Sequence, residues 1–363
     1  MKIDTQKPFL PIYSVKGSGY DLGFQIGQLA KHHIQKTLIP ENKWFMERKN
    51  LDDSDPTFLN STLALTKKYL PKYVEEMKGL ADGAEVPFRD IWVINSADRE
   101  TYDLETCSDI IIKSSNGIIH GHNEDFNNKN SDFSYFLHII SENGTEIFSH
   151  TYPGALSGTS FAVNSHGLSI TQNTLPNPNQ NMGISRKVID RWLLEAESID
   201  DAINRINITP RSGVFSYNIC SLMEHRAINV ETTEFESFLT EIYKNYFHTN
   251  HYLHPSNRHI PIHPTSTTKT RFSRLEELVP LANATLEDVL VVLSDPKIFC
   301  TEREIYPGWF RKSFSTVIYE FSTNRLKTVI FPYNRDPETV IRVDISAHTG
   351  IATAPVQLNP IED

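Results

Sequence analysis

Cysteine is scarce in this chain: Cys107, Cys220 and Cys300 are the three among 363 residues. So few thiols, and an odd number of them, exclude a disulfide framework and fit a reducing compartment. Long apolar runs are missing too, with no stretch of about 18 such residues to cross a bilayer. The first residues lack the unbroken apolar core of a secretory signal, because charges and the prolines Pro8 and Pro11 interrupt them. A cytoplasmic chain with no membrane partner is therefore expected. Basic residues are outnumbered, 35 Lys and Arg against 45 Asp and Glu, for a net charge of −10. That balance leaves no broad cationic footprint for a phosphate backbone, so no nucleic-acid partner is expected. Internal repeats and low-complexity tracts are absent as well.

What is present is an ordinary globular composition, 39% hydrophobic and 22% charged. The first hundred residues read as mostly helical. Gly17-Ser-Gly-Tyr-Asp-Leu-Gly-Phe-Gln-Ile-Gly27 leads into an expected helix over Gln28–Leu38. A glycine string suggests a dinucleotide-binding turn, but that fingerprint needs a preceding strand, and none of convincing length is legible. A turn with close helix packing explains the glycines better. Further helices are expected over Thr57–Ala81 and Phe88–Ala97.

From Cys107 the texture changes to strand-turn-strand units hinged on Ser114-Ser-Asn-Gly117, Ser141-Glu-Asn-Gly144 and Asn164-Ser-His-Gly167. Such tetrads supply the positive φ angles of tight hairpins. Two more hairpins are expected, Val214–Met223 with Ala227–Glu231 and Thr316–Phe321 with Leu326–Phe331. Helices interrupt them at Ile184–Glu195, Ile199–Ile206, Arg271–Leu281 and Leu286–Leu293. This pattern is that of an α+β protein, with antiparallel sheet and segregated helices. A helical segment 1–106 gives way to a strand-rich body 107–363.

Three segments hold candidate chemistry. Cys107 opens the body before Ser-Asp and the β-branched run Ile110-Ile-Ile112, so it stands at a strand start. A lone cysteine is more often a small buried residue than a nucleophile, but its polar neighbours set this one apart. Gly121-His-Asn-Glu-Asp-Phe126 ends the strand paired with the cysteine's own, so a carboxylate 18 residues downstream, Asp125, returns towards the thiol. The plain alternative is a solvated loop. In His248-Thr-Asn-His-Tyr252, the Asn250 amide can donate to an anionic oxygen. Its plain alternative is a turn at a strand end.

Together with Glu105-Thr-Cys-Ser-Asp109, these motifs resemble those of the acyl-coenzyme A:6-aminopenicillanic acid acyltransferase family, whose members include β-alanyl-amine hydrolases. The likeness extends over most of the chain and includes the hairpin Phe161–Asn173. It implies an N-terminal-nucleophile hydrolase, a four-layer αββα sandwich made as a precursor and cut between Thr106 and Cys107. The severed N-terminal segment stays as a partner chain. Cys107 becomes the nucleophile of a thiol amidohydrolase acting on a small acyl or β-alanyl amide. Asp125 orients the new α-amine, Asn250 stabilises the oxyanion, and Asn123 is an outer or backbone partner. Trp309-Phe-Arg-Lys-Ser313 precedes a hairpin where the family places an active-site arginine, and Arg311 is the candidate, its register off by about one residue. No cofactor is implied. One departure concerns the cleavage site: members commonly have glycine before the nucleophile, whereas β-branched Thr106 crowds the attacked carbonyl and predicts slower cleavage.

The acid–base logic stands apart from the resemblance. A free α-amine titrates at about 7.7–8 and a thiol at about 8.5, so proton transfer between them costs only about 1 kcal/mol. Cleavage thus supplies nucleophile and base on one residue.

Rival readings differ in class. Acyl-coenzyme A-dependent N-acyl transfer shares the acyl-enzyme, but hydrolysis is preferred because no basic cluster stands out to hold phosphates. A cysteine–histidine hydrolase would pair Cys107 with His251, at a papain-like separation, but places its thiol at a helix start. A zinc hydrolase would draw on His248, His251, His254, His259 and His263, or on His120 and His122. Last, an uncut Cys107 would leave a non-enzymatic binding module.

Overall fold

The computed structural model describes residues 1–40, 42–96, 107–115, 117–127, 133–177, 181–262, 266–279, 284–306 and 309–347. Two strands, β1 (Lys2–Asp4) and β2 (Ile12–Gly17), open the chain. Then follow α1 (Gly19–Leu29), α2 (Lys31–Thr37), α3 (Lys43–Ser54), α4 (Pro56–Tyr69), α5 (Pro71–Ala84) and α6 (Phe88–Ser96). The single helix expected over Thr57–Ala81 is two. Leu70 precedes Pro71, whose ring disfavours helical geometry in the residue before it, and Leu70 sits at φ −133 and ψ 55. A strand does precede the glycine string, contrary to expectation. The glycines themselves serve helix packing: a Cβ on Gly23 would stand 1.8 Å from the Glu76 carbonyl, and one on Gly79 2.0 Å from that of Tyr20. Glycine on both helices is what lets α1 and α5 touch backbone to backbone.

After Cys107, strands dominate: β3 (Ser108–Ser114), β4 (Gly117–Asn127), β5 (Tyr135–Ser141), β6 (Glu146–Thr151), β7 (Phe161–Asn164) and β8 (Leu168–Thr174). Helices α7 (Arg186–Leu193) and α8 (Ile199–Ile206) precede β9 (Phe215–Ser221), β10 (Arg226–Thr232), β11 (Ser237–Glu241) and β12 (Tyr246–His248). The chain continues through α9 (Thr268–Leu278), α10 (Leu286–Leu293), β13 (Arg303–Tyr306), β14 (Trp309–Ser322), β15 (Arg325–Pro332) and β16 (Ile341–Ser346). Gly117, at φ +136, closes the β3–β4 turn where a Cβ would lie 2.1 Å from the Phe321 carbonyl of β14.

The strands form two sheets. One runs β1-β16-β15-β14-β4-β3-β12 with β13 beside β14; the other runs β11-β10-β9-β8-β7-β6-β5-β2. Neighbours are antiparallel except β2 and β5. Three apolar clusters separate four layers. Leu22, Met77, Trp92 and Val188 of the first helices and α7 pack on Leu137, Ile170 and Tyr217 of the second sheet. Ile111, Val317 and Tyr319 meet Phe136, Phe148 and Phe161 between the sheets. Ile110, Ile112 and Ile318 carry Leu275, Val289 and Leu293 of α9 and α10. The architecture is therefore the expected α+β, four-layer αββα sandwich. No helix among the described residues is long and apolar enough to cross a membrane.

Candidate active site

The β3–β4 hairpin builds the site. Its register pairs Ser108 with Asn123 and Asp109 with His122. Because side chains alternate across a pleated strand, Asp109, His120, His122 and Glu124 enter the space between the sheets. Asn123 and Asp125 face the helix layer. Cys107, 2% exposed, directly precedes β3. Its Sγ donates to Glu124 Oε2 at 3.6 Å. The carboxylate against the thiol is thus Glu124, one residue before the one expected.

A polar chain continues inward. His122 Nε2 lies 3.0 Å from Glu124 Oε2, and its Nδ1 lies 2.8 Å from Asp109 Oδ2. Asp109 also receives Thr171 Oγ1 from the other sheet and sits 3.2 Å from His120 Nε2. Tyr152 OH donates to Glu124 Oε1 at 2.5 Å. Burial alone would push Asp109 up, but the two imidazoles hold it well below the usual carboxylate range. Burial would likewise push His122 down, yet the Asp109 charge and hydrogen bonds hold it well above 6.5. For His120 burial wins, and its imidazole is lowered. The result is an imidazolium enclosed beside the Glu124 carboxylate that accepts from the thiol.

The outward face serves other ends. Asn123 is an anchor: its Nδ2 donates to the Leu293 carbonyl at 2.8 Å, and Thr316 Oγ1 donates to its Oδ1 at 2.5 Å. The amide therefore ties β4 to the end of α10 and to β14. Ser313 Oγ donates to the Asp125 carboxylate. Asp125 and Arg311 of β14 both line a cavity of about 410 Å³, together with Arg271, Lys297, Cys300 and Arg303. The basic cluster that no sequence window displays is assembled here from α9, β13, β14 and the loop before them.

Asn250 stands on the turn after β12. Buried Glu231 shapes that turn, accepting from Leu253 N at 2.6 Å and His254 N at 3.0 Å, with His248 Nε2 3.0 Å away. Asn250 Nδ2 donates to the Thr174 carbonyl at 3.1 Å. Arg271, 2% exposed, fixes the other end of this amide by donating to its Oδ1 at 2.8 Å. The same guanidinium donates to the Cys107 carbonyl at 2.5 Å and to Ser108 Oγ at 2.9 Å. Asn250 and Cys107 thus share one arginine, a link that the sequence reading missed. Glu124 was foreseeable: a turn pairing Ser114 with Gly117 puts Cys107 opposite Glu124 one step past the last pair. Arg271, 164 residues away on a helix, left no such signal.

Among the described residues, no three histidines gather as a zinc hydrolase would need. His248 turns to Glu231, His251 Nδ1 to Thr268 Oγ1 at 2.9 Å, and His254 packs at a tilt against the Phe238 ring. His263 and Thr106 lie outside the described residues. Among the described residues, the group able to hold a metal is Cys107, His122 and Glu124, whose ligand atoms all lie within 4.8 Å of one another.

Residues 112–332 match the model of the family described as acyl-coenzyme A:6-aminopenicillanic acid acyl-transferase. The chain belongs to this family. It is 28% identical over 245 residues to the beta-alanyl-dopamine/carcinine hydrolase of Drosophila melanogaster, across 61% of this chain and 62% of that relative's length. It is 24% identical over 283 residues to the acyl-coenzyme A:6-aminopenicillanic-acid-acyltransferase 40 kDa form of Emericella nidulans, across 75% and 78% of the two chains. The N-acylethanolamine-hydrolyzing acid amidase ortholog of Caenorhabditis elegans superposes with a TM-score of 0.41 at 12% identity, over 58% of this chain and 92% of its own.

Proposed function

We propose that the chain is a self-processing thiol amidohydrolase, with residues 1–106 as the severed segment and 107–363 as the catalytic body. Cys107 attacks the carbonyl of a small acyl or β-alanyl amide. The amine leaves with a proton, and water then releases the acid from the thioester. The observation that carries this reading is the Arg271 guanidinium, which holds Cys107 and Asn250 side by side. An amide has two N–H bonds; one is spent on Thr174, so the other can meet the oxyanion. Asp125 orients the α-amine from the outward face, and Arg311 faces substrate across the cavity. Once Cys107 is a terminus, rotation about its χ1 carries sulfur from the Glu124 side towards Asn250. The membership of the family, and a relative named for hydrolysing β-alanyl amines, support both the reaction and the substrate class.

A denaturing gel with N-terminal sequencing tests the proposal. Active material should yield fragments of roughly 106 and 257 residues, the larger beginning at Cys107, and Cys107→Ala should abolish cleavage and turnover. Active protein that remains a single chain sinks it. Acyl transfer is the second reading, favoured by the gathering of Arg271, Lys297, Arg303 and Arg311 around one cavity, a setting suited to phosphates. Product partition between water and an added amine, with an acyl-coenzyme A donor, separates the two.

A further inference from the structure

We propose that Cys107, His122 and Glu124 form a zinc site that sequesters the thiol. Sulfur lies 3.6 Å from Glu124 Oε2, and His122 Nε2 lies 3.0 Å from the same oxygen. Zinc bonds of about 2.3 Å to sulfur and about 2.0 Å to nitrogen and oxygen give tetrahedral edges of about 3.5 Å and 3.3 Å. These two separations are close to those edges, and all three ligand atoms lie within 4.8 Å of one another, so a zinc ion fits with side-chain shifts. All three residues are buried, at 2%, 0% and 2% exposure.

The surroundings prepare each ligand. Asp109 Oδ2, 2.8 Å from His122 Nδ1, fixes the ring so that Nε2 points at the site, the carboxylate–imidazole arrangement common behind zinc ligands. Tyr152 OH binds Glu124 Oε1 and leaves Oε2 for the ion. Thiolate, imidazole and one carboxylate suit zinc better than calcium or magnesium, which seek oxygen alone. Binding releases the protons of the thiol and of the imidazole. Three protein ligands leave a fourth position for water. The site requires only the folded hairpin and is independent of whether Cys107 turns over amides. If it does, bound zinc holds sulfur on the Glu124 side and stops the reaction until a chelator removes the ion.

The test uses the full chain, stripped with chelator and titrated with zinc chloride by equilibrium dialysis. One zinc per chain is expected, with affinity at least tenfold weaker in His122→Asn and in Glu124→Gln. Cobalt in place of zinc should show a thiolate-to-cobalt charge-transfer band that disappears in Cys107→Ser. Circular dichroism identifies any variant that fails to fold, and the cobalt band of the unmutated protein remains decisive on its own. Absence of stoichiometric zinc, or a cobalt spectrum without the thiolate band, overturns the proposal. A chain that binds zinc here but hydrolyses no amide upholds the site and removes only the amidase reading.

Discussion

Along β4, His120, His122 and Glu124 enter the space between the sheets, while Asn123 and Asp125, one residue out of phase, face α9 and α10. The inward side is buried and densely charged. It joins Glu124, His122, Asp109 and His120 in one chain of hydrogen bonds, walled by Tyr152, Phe161 and the unpartnered imidazole of His150. The outward side holds few charges of its own and borrows its arginines from distant segments around an open cavity. One strand thus divides two environments, an enclosed one that holds the thiol and a cavity lined by Asp125. Which side does chemistry is the question that mutations can decide.

The largest effects should come from the outward side. Asn250→Ala should lower kcat on the order of a hundredfold or more if its amide meets the oxyanion. Asp125→Asn should slow turnover of processed enzyme by about a hundredfold. Near-normal rates in both variants would reverse the assignment of the two faces.

Next comes acid sensitivity, which belongs to the inward side. Burial first, then the charge of His122, pushes the His150 imidazole down to about 3. An unfolded chain protonates this residue near 6.5, so the unfolded state binds more protons between those values. Stability should be complete above about pH 6.5 and decline as pH falls towards 3. His150→Phe removes this contribution, on the order of a few kcal/mol at pH 4. Urea midpoints at pH 7 and pH 4.5 should therefore differ less in the variant; an unchanged difference refutes the cause.

Smaller again is a packing effect. A Cβ on Gly121 would lie 2.6 Å from Val289 Cγ1 and 2.8 Å from Leu293 Cδ1. Gly121→Ala should cost about 1–3 kcal/mol by overpacking α10, seen as a lower urea midpoint. The smallest effect is expected for Glu124→Gln: removing a negative charge 3.6 Å from sulfur favours thiolate, so alkylation of Cys107 at pH 7 should quicken a few-fold.

The Asn-Gly turns and the amphipathic helices were legible because their signals are local. The β3–β4 hairpin was anticipated with Cys107 at the strand start, and the glycine string was rightly assigned to helix contact. Very short strands, and strands without a turn signal, were harder. β1 has three residues and β13 four, too few for a period to show. β16 alternates cleanly between buried and exposed residues but follows no turn tetrad of the kind that marked the other hairpins. Asn123 was named for the site, and the fold uses it to fasten β4 to α10. No basic cluster stood out in the sequence because Glu304 and uncharged residues separate Arg303 from Arg311, which meet only as partners of the β13–β14 hairpin, and Arg271 joins them from a distant helix.

Residue chemistry and hairpin register, both written in the chain order, determined that a cysteine and a pair of adjacent carboxylates would return to one strand end. Register alone set Glu124 opposite Cys107; only the packing of α9 and β14 against that strand end decided that Asp125 meets a cavity and that Arg271 joins Cys107 to Asn250. The reason is physical: a pleat divides neighbours between two environments, and the cavity-facing one draws on residues more than a hundred positions away.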